Sequence, residues 1–176
     1  MYPDAYIQFL VHFHGDRDYF ECHEILEEYW KETIKGDKQS IWVGLIMLAV
    51  SNYHFRRNNN SGAQRTLQKA ISIFENKKKE GCTLGIDMDE LLIFLPNRVI
   101  HIHSGLPYTS FNIPLIDQNL LAKCKTICKE KGHAWGMESN LEEDNLIHRH
   151  LLRDRSEVIQ EREIAKKEKA HKKGEE

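Results

Sequence analysis

Apolar residues recur along most of this chain at the three-and-four spacing of a helix face, and almost nowhere at the two-residue spacing of a strand. Asp4 can cap a first helix running to about His14, where Gly15 supplies a stop. Asp16 or Asp18 opens a second, which ends near Lys35 and Gly36. A third begins at Asp37 or Ser40 and reaches about Arg57. Its run "IWVGLIMLAV", residues 41–50, is apolar around most of the circumference, the mark of a buried helix. It is too short to cross a bilayer.

The turn "NNNSG" at 58–62 precedes a fourth helix, capped by Asn60 or Ser61, with Ala63, Leu67, Ala70, Ile71 and Phe74 at helical spacing. Lysines followed by Gly81 in "KKKEG" read as its stop. "DMDE" at 87–90 resembles a capping box in front of "LLIFL", and Pro96 is expected to kink or restart that helix. "GLPYTSFNIPL", 105–115, reads as a loop lying extended over the core. A helix from about Asp117 to Gly132 shows Leu120, Leu121, Cys124, Ile127 and Cys128 on one side. From about Asn140, Leu141, Ile147, Leu151, Val158 and Ile164 draw a thin apolar seam through a charged run. The expected fold is all-α: a compact helical bundle over 1–115, then a helical C-terminal extension over 116–176. That extension is read as a long, partly frayed helix with a charged tail.

Composition narrows the function classes. A formal charge of −2, from 25 basic and 27 acidic side chains, gives no global pull toward nucleic acid or anionic membrane. The lysine-rich end interleaves glutamates and lacks aromatics, unlike a dedicated RNA surface. Cys22, Cys82, Cys124 and Cys128 form no C-x-x-C pair, and "MYPDAYIQFL" lacks the basic start and apolar run of a signal peptide. A reducing cytoplasm is therefore the expected location. The expected partner is a second copy or another protein, engaged through the C-terminal helix.

The chemistry concentrates in "YFECHEILEEYWK", residues 19–31. At about 100° per residue, His23 falls between Trp30 and Ile34, and Glu27 between Ile34 and Phe20. Both polar groups lie inside the apolar sector, with Glu24 at its edge. A carboxylate placed there must find a cation, a donor or a metal, or take up a proton. The next helix offers His54 and Arg57, three residues apart on one flank, and antiparallel packing would let Glu27 meet either.

Two readings follow. In the first, Glu27, His23, His54 and Arg57 form a buried network that fixes helix register, in an interaction or scaffold module without a cofactor. In the second, His23, Glu27 and His54 hold a divalent metal such as Zn or Fe, a two-histidine, one-carboxylate set. The catalytic residues of that hydrolase reading are Glu24, as base for bound water, with Glu27 and Arg57. A third use of Arg57 is to clamp a small anion. "HEILE" departs from H-E-x-x-H because Glu27 stands for the second histidine, and no pair of E-x-x-H repeats marks a di-iron bundle. Cys124, Cys128 and His133 match no zinc template, and His101 and His103 are two apart, a spacing that suits a strand or loop more than a helix.

The segments through Gly15, Tyr19, Phe20, His23, Glu24, Leu26, Glu27 and Trp30, then Gly44, Leu45, Ile46, Ala49, His54, Arg57, Gly62 and Ala63, fall in order at compatible spacing. Over about residues 9–75 the chain resembles the domain of unknown function 309 family. The resemblance implies a compact all-α bundle of bacterial and archaeal cytosolic proteins. It also implies a metal-dependent hydrolase reading, drawn from the family's His and Glu positions, which land here on His23, Glu24, Glu27, His54 and Arg57. Three departures stand out: Cys22 where relatives often have alanine, Met47 where a glutamine is usual, and Asn58 where a glycine usually follows the arginines. If that glutamine helps to hold a ligand, Met47 removes it.

Overall fold

A computed structural model describes residues 1–34 and 36–149 of the protein. It contains α1 (Asp4–His14), α2 (Tyr19–Thr33), α3 (Ile41–Arg56), α4 (Asn60–Asn76), α5 (Lys78–Thr83), α6 (Met88–His103), α7 (Gln118–Glu130) and α8 (Asp144–Ile147). Among the described residues there is no strand, only an isolated antiparallel bridge between Ile86 and Leu115. The all-α expectation is met.

Short polar side chains start most of these helices by accepting otherwise orphaned amide protons. Asp18 accepts from Glu21 N at 3.0 Å, Asp87 from Glu90 N at 3.0 Å, and Asp117 from Asn119 N and Leu120 N at 2.8 and 3.0 Å. Ser40 Oγ accepts from Val43 N at 3.4 Å. Two expected caps are displaced by one residue. Asp4 lies inside the first turn of α1, where its charge suits the helix dipole, and Pro3 precedes it without a side-chain cap. Asn59, rather than Asn60 or Ser61, caps α4, accepting from Gly62 N at 3.1 Å.

Two stop signals are also corrected. "KKKEG" does not end in a loop: α5 follows α4 directly, and the positive φ that closes it belongs to Gly85, not Gly81. Pro96 stays inside an unbroken α6. It lies on the exposed side, where water can take up the carbonyl that proline leaves without a donor. The expected long C-terminal helix from Asn140 starts later and is short among the described residues, as α8. Leu151, Val158, Ile164 and the charged tail lie outside them.

α3 packs against both α2 and α4, α1 against α2 and α7, and α4 against α6. α3 supplies Ile41, Trp42, Leu45, Ile46, Leu48, Ala49, Tyr53 and Phe55 to one core. Gly44 is needed there, since a Cβ would stand 2.7 Å from the Phe74 ring of α4. α7 adds Leu120, Cys124 and Cys128 to the same core as Phe9, Leu10 and Phe13 of α1. The 105–115 loop lies over it as expected, burying Phe111 and Ile113, with Asp87 N donating to Pro114 O at 2.9 Å.

Loop backbone has no ladder of its own to satisfy its carbonyls, and three buried arginines supply the donors. Arg17, 1% exposed, donates to Phe13 O and Phe111 O at 2.7 and 2.8 Å, Met137 O at 2.6 Å and Asn112 Oδ1 at 2.8 Å. Arg56 donates to Arg17 O, Ser139 Oγ and Leu146 O at 2.7, 2.9 and 2.9 Å. Arg98 donates to Thr109 Oγ1 and Asn52 Oδ1 at 3.1 Å each, and to Thr109 O. Burial lowers the proton affinity of Arg56 and Arg98. Ring faces offset part of that: Arg56 sits 4.9 Å over Tyr19, and Arg98 5.0 Å over Phe111.

His14, fully buried, works as a neutral counterpart. Its Nδ1–H donates to Leu10 O at 2.7 Å, its Nε2 accepts from Ile113 N at 2.9 Å, and its ring stacks 4.0 Å from Trp135. Burial, assisted by the nearby Arg17 charge, lowers its pKa from 6.5 to about 3.

Two expected outcomes follow. Arg17→Met leaves four acceptors without a donor and should cost at least ~3 kcal/mol in chemical denaturation, whereas exposed Lys69→Met should change stability by less than ~0.5 kcal/mol. Because the folded pKa of His14 is depressed, its contribution is present above pH 6.5 and is lost as pH falls toward 3. The stability advantage of wild type over His14→Gln should shrink by about 1.4 kcal/mol per pH unit between pH 6 and 4, measured by urea unfolding.

Candidate functional site

α2 is buried only through Tyr19, Cys22 and Leu26. Phe20, Tyr29 and Trp30 are partly buried along its rim, so the fully buried sector is narrower than the helical wheel implies. His23, Glu24 and Glu27 therefore stand at the edge of the bundle, with side chains 29%, 31% and 35% exposed. His23 Nδ1 lies 3.1 Å from Glu24 Oε1 and His23 Nε2 lies 3.5 Å from Glu27 Oε2. Glu27 finds its cation one turn along the same helix, with Lys31 Nζ 3.2 Å from Oε1.

The expected seam contact with α3 is not made. Arg57 caps the C-terminus of α3 with its guanidinium 5.2 Å from the Tyr53 ring, and its Nε is buried without a partner. His54 Nδ1 lies 3.1 Å from Asn59 Nδ2, which donates to it. Partial burial, with Arg57 and Arg65 nearby, lowers the His54 pKa and favours that neutral acceptor form. Ring contacts run from His23 through Phe20 to Tyr53 and on to His54, at 6.2, 6.0 and 6.4 Å. The structure thus brings His23, Glu24 and Glu27 together, with ligand-type atoms within 4.8 Å of one another, and leaves His54 outside that group. The His23, Glu27 and His54 set does not fit a common metal, and Arg57 does not reach Glu27.

The larger feature of α2 is on its other flank. Phe20, Glu21, Glu24 and Glu28 form one wall of a cleft of about 980 Å³, with Gly15, Asp16 and Asp18 at its end. The opposite wall is the segment from His133 to Arg149, including Met137, Glu138, Asn140, Glu143 and Leu146. Among the described residues, seven carboxylates line this space, those of Asp16, Asp18, Glu21, Glu24, Glu28, Glu138 and Glu143, with the guanidinium of Arg149 and the imidazole of His133.

Buried donors hold the loop wall: Arg17 on Met137 O, Arg56 on Ser139 Oγ and Leu146 O, and Gly136 N on His14 O at 2.8 Å. Gly15 permits the close approach at the cleft's end. A Cβ there would stand 2.7 Å from Val11 O and 3.1 Å from Cys128 Sγ. Asp16 lies 2.9 Å from His12 Nδ1 and 3.8 Å from His133 Nε2. Asp18, 3% exposed, uses one oxygen to cap α2 and the other to accept from Arg149.

A family model described as "Domain of unknown function (DUF309)" matches residues 6–66, which contain most of α1, all of α2 and α3, and the five polar positions of the α2–α3 reading. The chain is 45% identical over 163 residues to the "Uncharacterized protein YpuF" of Bacillus subtilis (strain 168), an alignment covering 93% of this chain and 94% of that protein. No solved structure matches it. The chain belongs to the DUF309 family.

Glu21, Glu24 and Glu28 were visible in sequence as polar positions of α2. Nothing local marks Arg17, Arg56 or Arg149, each of which has a partner at least 90 positions away: Met137, Leu146 and Asp18. Since His23 and Glu27 are rim residues, His23→Ala and Glu27→Ala should each lower stability by less than ~1 kcal/mol, as read from urea denaturation midpoints.

Proposed function

We propose that the protein is a non-catalytic interaction module that docks a basic segment of a partner protein in the acid-lined cleft. The observation that carries this is the convergence of seven carboxylates on one cleft in a chain whose net charge is only −2. So uneven a distribution creates a local field that attracts cations, which global composition does not. Phe20, Met137 and Leu146 add apolar surface for the stems of lysine or arginine side chains.

The partner expected at the C-terminal end of the chain is consistent with this site, since α8 helps to form one wall. Cytoplasmic location fits the four free cysteines, three of them buried. Among the described residues no helix is long and apolar enough to cross a membrane.

The test is a fluorescence anisotropy titration of the full chain with a labelled, end-capped peptide of alternating arginine and alanine. Saturable binding is expected, weakening several-fold between about 0.05 and 0.2 M salt and again in a Glu28→Gln, Glu143→Gln double variant. Absence of binding, or binding indifferent to both changes, overturns the reading.

A further inference from the structure

The cleft already holds one guest of the chemistry proposed for it, and the chain itself supplies that guest. Arg149 lies one residue beyond His148, the C-cap of α8, and lines the cleft. Its Nη1 donates to Asp18 Oδ2, and its Nη2 to Glu21 Oε2 at 3.1 Å. A guanidinium spanning two carboxylates is how an arginine of a basic partner would bind. The sequence continues from Arg149 as "HLLRDR", so two more arginines, Arg153 and Arg155, follow closely along the chain.

We propose that Arg149 is an internal competitor for the cleft, occupying the Asp18–Glu21 end until a basic partner displaces it. This inference rests on the docking reading above.

The site is built to survive the exchange. Asp18 is held by its N-cap bond from Glu21 N, which does not involve Arg149. The wall upstream stays anchored by Arg17 on Met137 O, by Arg56 on Ser139 and Leu146, and by the buried side chains of Leu146 and Ile147. Only the Arg149 side chain needs to leave its two carboxylates. Arg149 is 44% exposed at its side chain and Glu21 33%, so that ion pair is weak; Asp18, whose side chain is 4% exposed, keeps its N-cap bond when Arg149 leaves. Attachment to the same chain compensates by giving the competitor a high effective concentration. The result is an occupant that excludes weak cationic guests and yields to one with several basic side chains.

The test repeats the arginine–alanine peptide titration on the full-length wild type and on Arg149→Ala, and follows the Arg149 side-chain N–H resonance, identified by its loss in the variant. A competitor that fills the cleft about nine-tenths of the time weakens a guest about tenfold, so Arg149→Ala should bind the peptide roughly three- to tenfold more tightly. In the wild type the Arg149 resonance should shift toward that of a solvated arginine as peptide is added. If the wild type binds but Arg149→Ala binds no better, the competitor is overturned while the docking reading stands. If neither binds, both are overturned.

Discussion

Three guanidiniums buried against neutral oxygens hold this molecule together beyond its first helices. A charge taken out of water is costly, and a partner carboxylate is the usual remedy. Among the described residues Arg17, Arg56 and Arg98 have none. Their donors instead meet carbonyls and amide or hydroxyl oxygens, most of them on loops, and ring faces cover part of the charge. The exchange is mutual: each loop carbonyl would be an unsatisfied buried acceptor without the arginine, and each arginine a desolvated ion without the loop. Arg17 accepts a further penalty, since its backbone sits at φ 59°, a conformation that costs a non-glycine residue roughly 1–2 kcal/mol. Four side-chain hydrogen bonds keep it there.

That arrangement explains why a cleft exists at all. Helices satisfy their own backbones and pack through side chains, so α1 to α4 close on one another through their apolar faces. Among the described residues, the segment after α7 is mostly irregular. It is tethered at Met137, Ser139 and Leu146 by single polar groups rather than laid down along a continuous apolar stripe. Between those tethers and the carboxylate-bearing flank of α2 a space remains. Its acidity has a simple origin: α2 buries few side chains, and the glutamates that keep its outer surface hydrated face the opposite wall.

Much of the fold was legible because its signals are local. Asp18, Ser40, Asp87 and Asp117 announce helix starts through their own side chains, and α3 shows its burial in an unbroken apolar run. The misread points are those where a neighbour decides: Pro96 is tolerated because its side of α6 faces water, and Gly81 sits within a helix that Gly85 terminates. At the candidate site, periodicity sets His23 and Glu27 inside the apolar sector and Glu24 at its edge, whereas all three side chains stand at the rim, 29%, 35% and 31% exposed. It failed on Glu27, because Lys31 on the same helix already satisfies it, and on Arg57, because the buried guanidinium is that of Arg56. One residue along a helix is about 100° of rotation. Wheel arithmetic distinguishes such neighbours only if the packing direction is known. The loop wall of the cleft has no periodic signature.

The tethers from Arg17 and Arg56 also impose an order on assembly. Contacts among α1, α2, α3 and α4 join helices adjacent in the chain, whereas Arg56 reaches Leu146 across 90 positions and Arg17 reaches Met137 across 120. Long loops close slowly, and an arginine cannot meet a loop carbonyl until the helices that aim it are in place. The four-helix core is thus the template on which the far wall is laid. The acid-lined cleft beside α2 is complete only at the end of folding, once most of the chain has joined it.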